Sequence, residues 1–166
     1  MTTDPAPRPM ARTSRPAARI LLVDAAGRVL LFRFTPADRP PFWVTPGGAV
    51  DPGETYAAAA RRELMEEVGL DRDCGPEVAR RVVDFLTLEG VEVTADERFY
   101  RVEIDACDVV TTGHTPLEQR VMTNWHWFTR AEIAAHPEPI FPTDLIAMLE
   151  ATDDLPATAS ARILPA

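Results

Sequence analysis

In the stretch GGAVDPGETYAAAARRELMEEVGL, residues 47 to 70, a Gly-Gly turn runs almost directly into an acidic helix. Thr55 has the side chain of a good N-cap, and Gly69 suits the left-handed residue that ends a helix. The spacing therefore predicts a helix between them. At 100° per residue, Ala57, Ala60, Leu64 and Val68 share one face, which must bury itself against another element. Glu63, Glu66 and Glu67 span about 100° beside that face. Ala59 leaves room in the same sector one turn earlier, and Arg62 sits at its edge. Like charges three and four residues apart on a helix repel. Such a cluster is either a solvated acidic face or a place where a cation is collected.

The flanking segments supply what the apolar face can pack on. RILLVD and RVLLFRF, separated by AAGR, read as a β-hairpin. TPADRPPFWVTPGG is a proline-rich loop that delivers Trp43 to the Gly-Gly turn. EVARRVVDFLTLEG and VEVTADERFYRVEIDA carry the β-branched and aromatic runs of two or three antiparallel strands. Residues 106 to 124 read as a long irregular loop, and NWHWFT as a short strand. Thr129 and Glu132 form a capping box for a helix stopped by Pro137, and Pro142 lies near the first turn of a last helix. The order predicts an α+β domain, a mixed β-sheet sandwiched between α-helices. Its expected limits are residues 18 to 150. Residues 1 to 17 read as a mobile tail and residues 151 to 166 as a second tail.

Composition narrows the partners. The formal net charge of -9 argues against nucleic acid as a non-specific partner. A small anionic substrate remains compatible if a metal reverses the local sign. All 17 basic residues are Arg, so any phosphate clamp is arginine and no lysine nucleophile exists. Cys74 and Cys107 form neither zinc spacing nor a disulfide framework, and read as free thiols of a reducing compartment. No apolar run is long enough to span a membrane, and the first residues lack an apolar signal core, so a cytoplasmic location is expected.

Gly48, five residues, Glu54, seven residues, Arg62-Glu63-Leu64, one residue, Glu66-Glu67, one residue, Gly69-Leu70 resembles the complete Nudix box. Every specified position of that pattern is filled. The preceding hairpin, WVTPGG and HWFTRAEI extend the resemblance to roughly residues 18 to 150. It implies the Nudix fold and cleavage of a nucleoside diphosphate linked to another moiety, with Mg²⁺ or Mn²⁺. The residue chemistry agrees, because Mg²⁺ takes oxygen ligands, typically one or two carboxylates plus waters and phosphates. By the resemblance, Gly48, Glu63, Glu66 and Glu67 are metal ligands, and Glu54 with Arg62 is a scaffolding pair. A metal there would bridge pyrophosphate oxygens and acidify a water.

The general base is a box glutamate or a Glu outside the box, with Glu118 favoured over Glu97. Arg33 is expected to contact phosphate, and Phe34 and Trp43 to stack on a nucleobase. His114, His126 and His136 do not cluster and are assigned packing or surface roles. Markers of the subgroups for ADP-ribose, dinucleoside polyphosphates, NADH and coenzyme A are absent, which leaves a nucleotide or nucleotide-sugar pyrophosphatase. A catalytically silent nucleotide sensor and a diphosphate isomerase are the alternatives. The isomerase needs a catalytic Cys, and Cys74 directly after the box is poorly placed for it. A homodimer is expected by analogy with many relatives.

Overall fold

The computed structural model describes residues 11–105, 109 and 113–155. The chain enters as β1 (Thr13–Asp24) and turns through Asp24–Arg28 into β2 (Val29–Phe34). Asp24 Oδ1 accepts from the backbone N–H of Ala26 and of Arg28, which closes this turn. The next elements are β3 (Phe42–Val44), β4 (Gly47–Ala49) and α1 (Tyr56–Val68). Two long strands follow, β5 (Glu77–Leu86) and β6 (Glu92–Ile104). Then come α2 (Pro116–Val121), β7 (Met122–Phe128), α3 (Arg130–Ala135), β8 (Ile140–Phe141) and α4 (Leu145–Thr152).

All eight strands join one mixed sheet with the path β5-β6-β1-β2-β3-β8; β4 pairs with β1 and β7 with β2. β1 runs parallel to β6 along its whole length, from Thr13 opposite Val93 to Asp24 opposite Ile104. Its other edge is shared: Ala17–Arg19 pair with β4, and Val23 pairs with Val29 of β2. One strand edge serving two partners in succession curls the sheet and opens a cleft where the partners change.

The run Ile20-Leu21-Leu22-Val23 is buried on both faces, as its unbroken apolarity requires. Ile20 and Leu22 pack with Ala59, Ala60, Leu64 and Val68 of α1. Leu21 and Val23 pack with Leu145, Met148 and Leu149 of α4. The expected α+β sandwich, helices on both faces of a mixed sheet, is what these two cores build.

Several boundaries differ from the sequence reading. β1 begins at Thr13, not residue 18: Thr13–Ala17 pair with Val93–Glu97, and Pro16 O accepts from Val50 N at 2.9 Å. Partners far away in sequence override a composition that reads locally as tail. Residues 1–10 lie outside the described residues. Within 106–124, α2 and the start of β7 replace part of the expected loop; residues 106–108 and 110–112, with Cys107, lie outside the description. The signal for α2 was present, since Thr115-Pro116-Leu117-Glu118 is a capping box with Pro at the helix start. At the C-terminal end, α4 runs through Thr152, which is buried and accepts from Arg101 Nη1 at 2.9 Å. Residues 156–166 lie outside the description.

Candidate active site

Helix α1 starts and stops where its residues predict. Thr55 Oγ1 accepts from Ala58 N, and Gly69 adopts φ 84° with its N–H on Met65 O. The buried face is broader than apolar spacing alone indicates. Ala57 is exposed, whereas Ala59, Ala60, Glu63, Leu64, Glu67 and Val68 are buried. Two of the three glutamates therefore face inward: Glu63 is 6% and Glu67 3% exposed. Glu66 remains 41% exposed at its side chain.

The Gly-Gly turn permits this approach. Gly47 has φ 129°, and a Cβ there would collide with the Ala18 carbonyl of β1. A Cβ on Gly48 would sit 2.5 Å from Glu63 Oε1. The absent side chains leave an open cradle against the carboxylate.

Arg62 organises the rim of the cradle. Its Nε and Nη2 donate to the two oxygens of Glu54, both at 2.9 Å, and Nη2 also reaches Ala49 O at 3.0 Å. Nη1 donates to Glu63 at 2.9 Å and Glu66 at 3.2 Å. The hydrogen bonds from Arg62 hold Glu54 below its ordinary pKa, and those to Glu54 raise that of Arg62. One guanidinium thus ties the β4 loop to the helix and offsets part of the carboxylate repulsion. Burial pushes the Glu63 carboxyl up, with Arg62 opposing. Burial pushes Glu67 well up, and the Glu63 charge adds to this.

Glu63, Glu67 and Gly48 open into a cleft of about 470 Å³. The same lining includes Arg15, Arg19, Arg39 and Arg81. Glu97, buried on β6, accepts from Arg19 at 3.0 Å and lies 3.3 Å from Arg81, so it anchors two of these cations. Arg19 also donates to Gly47 O at 3.0 Å. Glu118 lines the cleft from α2, where it accepts from Thr115 N at 2.7 Å as the reciprocal half of the capping box. His114, just before α2, is buried edge-on against Phe32 with Nε2 3.3 Å from Glu67 O.

Not every expected site residue reaches the cleft. Phe34 does, stacked on Phe42 with ring centroids 5.5 Å apart, and Phe141 completes an aromatic wall. Trp43 lies in the opposite core, edge-on to Phe128 and His136, and its indole N–H donates to Glu138 at 2.7 Å. That placement leaves no face of Trp43 on the cleft. Arg33 forms a two-pronged pair with Glu138 and also lies outside the cleft lining. Strand alternation explains both: Arg33 and its cross-strand partner Trp43 point away from the face that carries Phe34 and Phe42. The cleft arginines at 15 and 19 went unassigned, although residues four apart on one strand share a face.

The donor set suits a hard divalent cation. It is all oxygen, it includes two buried carboxylates whose charge burial disfavours, and the Gly48 cradle opens beside one of them. Among the described residues, no three Asp, Glu, His or Cys side chains converge as they stand; Arg62 Nη1 lies between Glu63 and Glu66, and the Gly47 N–H holds Glu67.

The family model for the NUDIX domain matches residues 13–149. The fold is similar to that of the MutT protein from Methanosarcina mazei Go1, with TM-score 0.60 and 20% identity over 87% of this chain and 96% of that one. A NUDIX hydrolase from Nitrosomonas europaea aligns with TM-score 0.61 and 19% identity, over 85% and 89% of the two chains. An RNA pyrophosphohydrolase of Pseudomonas putida, strain F1, is 46% identical over 59 residues, which is 36% of this chain. The match spans 35%, about a third, of that relative's length.

Proposed function

This chain belongs to the Nudix hydrolase family, and on that premise we propose that it is a Mg²⁺- or Mn²⁺-dependent pyrophosphohydrolase. Its substrate is a nucleoside diphosphate linked to a further moiety, of nucleotide or nucleotide-sugar type. The observation that carries this reading is the meeting of opposite charges in one cleft, whose lining holds buried Glu63 and Glu67 together with Arg15, Arg19, Arg39 and Arg81. Carboxylates alone would repel a diphosphate, and arginines alone would bind it without activating water.

In this reading Gly48, Glu63, Glu66 and Glu67 would hold the cation, which would supply charge neutralisation for the phosphates and a more acidic water. Arg62 and Glu54 keep the Gly-Gly turn fixed against α1. Glu118, on the facing helix, accepts the proton of the attacking water. Glu97 instead keeps Arg19 and Arg81 extended into the cleft. The reaction breaks a phosphoric anhydride bond and leaves two phosphate products. A reducing, cytoplasmic setting suits the buried free thiol of Cys74, whose pKa burial pushes up to about 11.

RNA carrying a 5′ polyphosphate is a second substrate class, favoured by the resemblance to RNA pyrophosphohydrolases. The net charge of -9 weighs against a long RNA tract outside the cleft. A colorimetric phosphate screen, coupled to a phosphatase that releases phosphate from the monoester products but not from the intact substrates, decides between them. It would compare nucleotide sugars, mononucleotides, dinucleotides and 5′-triphosphorylated RNA, with and without Mg²⁺. Metal-dependent release from a nucleotide-type diphosphate supports the proposal, and no release from any substrate with either metal refutes it.

A further inference from the structure

Among the described residues, two residues that line the cleft carry a buried polar side-chain atom with no hydrogen-bond partner: Arg15 at Nη1 and Thr45 at Oγ1. The other such atoms are on Arg98, Arg130 and His136, outside the cleft, and each of those side chains lies within 4 Å of a carboxylate. A buried donor or acceptor left bare carries its full desolvation cost unless something occupies it.

Arg15 differs from the other cleft arginines. Arg19 is tied to Glu97 and Gly47 O, Arg81 to Glu97 and Asp144, and Arg39 to Asp38 and two backbone carbonyls. Arg15 has no such tie among the described residues. Its guanidinium carbon lies 5.7 Å from the centroid of the Phe85 ring. Arg15, Ala17 and Arg19 share one face of β1, and Ala95 and Glu97 stand opposite Arg15 and Ala17 on β6. Ala17 and Ala95 are both fully buried beside it, so neither neighbour on this face offers the guanidinium a polar partner.

Thr45 follows β3, lines the same cleft and is 1% exposed. Its backbone N–H donates to Phe141 O, which places it at the margin of the Phe34, Phe42 and Phe141 wall. That wall suits a flat ring, and a hydroxyl at its margin suits the polar edge of a heterocycle.

Resting on the reading of the cleft as a nucleotide-diphosphate site, we propose that Arg15 and Thr45 are its ligand-contacting residues beyond the acidic helix. Arg15 binds a non-bridging oxygen of the phosphate chain, and Thr45 Oγ1 binds the polar edge of the nucleobase. Together they set the direction in which the substrate lies.

The test is isothermal titration, with Mg²⁺ present, of α,β-methylene-ADP and of tripolyphosphate into the full chain. Arg15→Met is expected to weaken both probes about tenfold or more, the usual effect of losing a hydrogen bond to a charged group. Arg15→Lys, which keeps the charge but loses the fork, should fall between. Thr45→Val should weaken the nucleotide about threefold or more and leave tripolyphosphate unchanged. Melting of the unliganded Arg15→Met and Thr45→Val proteins should match or exceed wild type, because each removes a bare polar atom.

Unchanged affinity for both probes in Arg15→Met would overturn the assignment of Arg15. Unchanged nucleotide affinity in Thr45→Val would overturn that of Thr45, and a fall in unliganded melting with affinity intact would make either residue structural. Wild type binding tripolyphosphate through Arg15 while ignoring the nucleotide would uphold Arg15 but refute the nucleotide reading and Thr45. Wild type binding neither probe would overturn both readings.

Discussion

Glu67 Oε2 accepts a hydrogen bond from the Gly47 backbone N–H at 2.7 Å, joining helix α1 to the start of strand β4. The bond fixes the carboxylate at the cleft wall but replaces only part of the water that burial removes. A buried, partly satisfied charge is a standing cost in the metal-free protein.

Glu67→Gln removes that charge and keeps an acceptor for Gly47. Without metal at neutral pH, it is expected to melt at or above wild type. Turnover should fall at least about 10²-fold, the upper end of losses seen when a metal site is perturbed. Mg²⁺ at a hundred times its dissociation constant stabilises a folded site by about 2.7 kcal/mol. For a chain this size that is a melting shift of about 5 to 10 °C, which the variant should show in reduced form. A wild-type melting curve indifferent to Mg²⁺, with the glutamine variant melting lower, would reduce the cluster to an ordinary acidic surface.

Glu66→Gln separates charge from burial. Its side chain is half exposed and touches Arg62, so the same loss of turnover is expected without a gain in melting temperature. Near wild-type rates at limiting Mg²⁺ would remove Glu66 from the ligand set.

Arg62→Ala leaves Glu54, Glu63 and Glu66 without their shared partner and releases Ala49 O. Rate and stability should fall together, the latter by about 3 to 5 kcal/mol if the pair behaves as buried and by less in proportion to its exposure. A rate loss with unchanged thermal melting would make Arg62 a substrate contact instead.

Glu118 closes a capping box, so its role in catalysis must be read apart from its role in α2. Glutamine also serves in the box, and alanine does not. Glu118→Gln should therefore flatten the acidic limb of the pH–rate profile at unchanged melting and Mg²⁺ requirement, whereas Glu118→Ala should also loosen the cleft. Glu97→Gln should instead lower melting, because Arg19 and Arg81 lose their common anchor. A Glu118→Gln profile superimposable on wild type would eliminate Glu118 as the base.

Hydrogen bonds from Arg33, aided by Trp43, hold the Glu138 pKa down to about 2 from an ordinary 4.5. The unfolded chain takes up this proton first as pH falls. The contribution of Glu138 to stability is therefore complete above 4.5 and is lost as pH drops toward 2. Wild type and Glu138→Gln should differ in melting temperature above pH 4.5, and the gap should close as pH approaches 2. A gap constant across that range would mean that the Arg33 pair adds no pH-dependent stability.

Local spacing alone determined a good deal. Thr55 and Gly69 bound α1 because caps act within one turn of the residues they serve. The apolar run at Ile20–Val23 announced a strand of the first hairpin, and the Thr129–Glu132 box placed α3. The acidic sector of α1 followed from helical geometry, and it was the resemblance of the filled box to a known family that implied a metal-assisted anhydride hydrolase. Even α2 was legible in Thr115 and Glu118, although the stretch read as loop because its apolar residues are few.

Tertiary structure decided the rest, because it depended on partners distant in sequence. Thr13–Ala17 became strand only because β6 and β4 lie alongside. Glu63 and Glu67 turned inward only because two glycines let strand β4 approach the helix. Arg33 and Trp43 left the cleft when Glu138, 105 and 95 residues further on, met them on the opposite face of the sheet. Arg15 and Thr45 became neighbours of one cleft by the curl of β1 between two partners. Periodicity tells which side of a strand a residue occupies, but only the packed sheet determines what that side encloses.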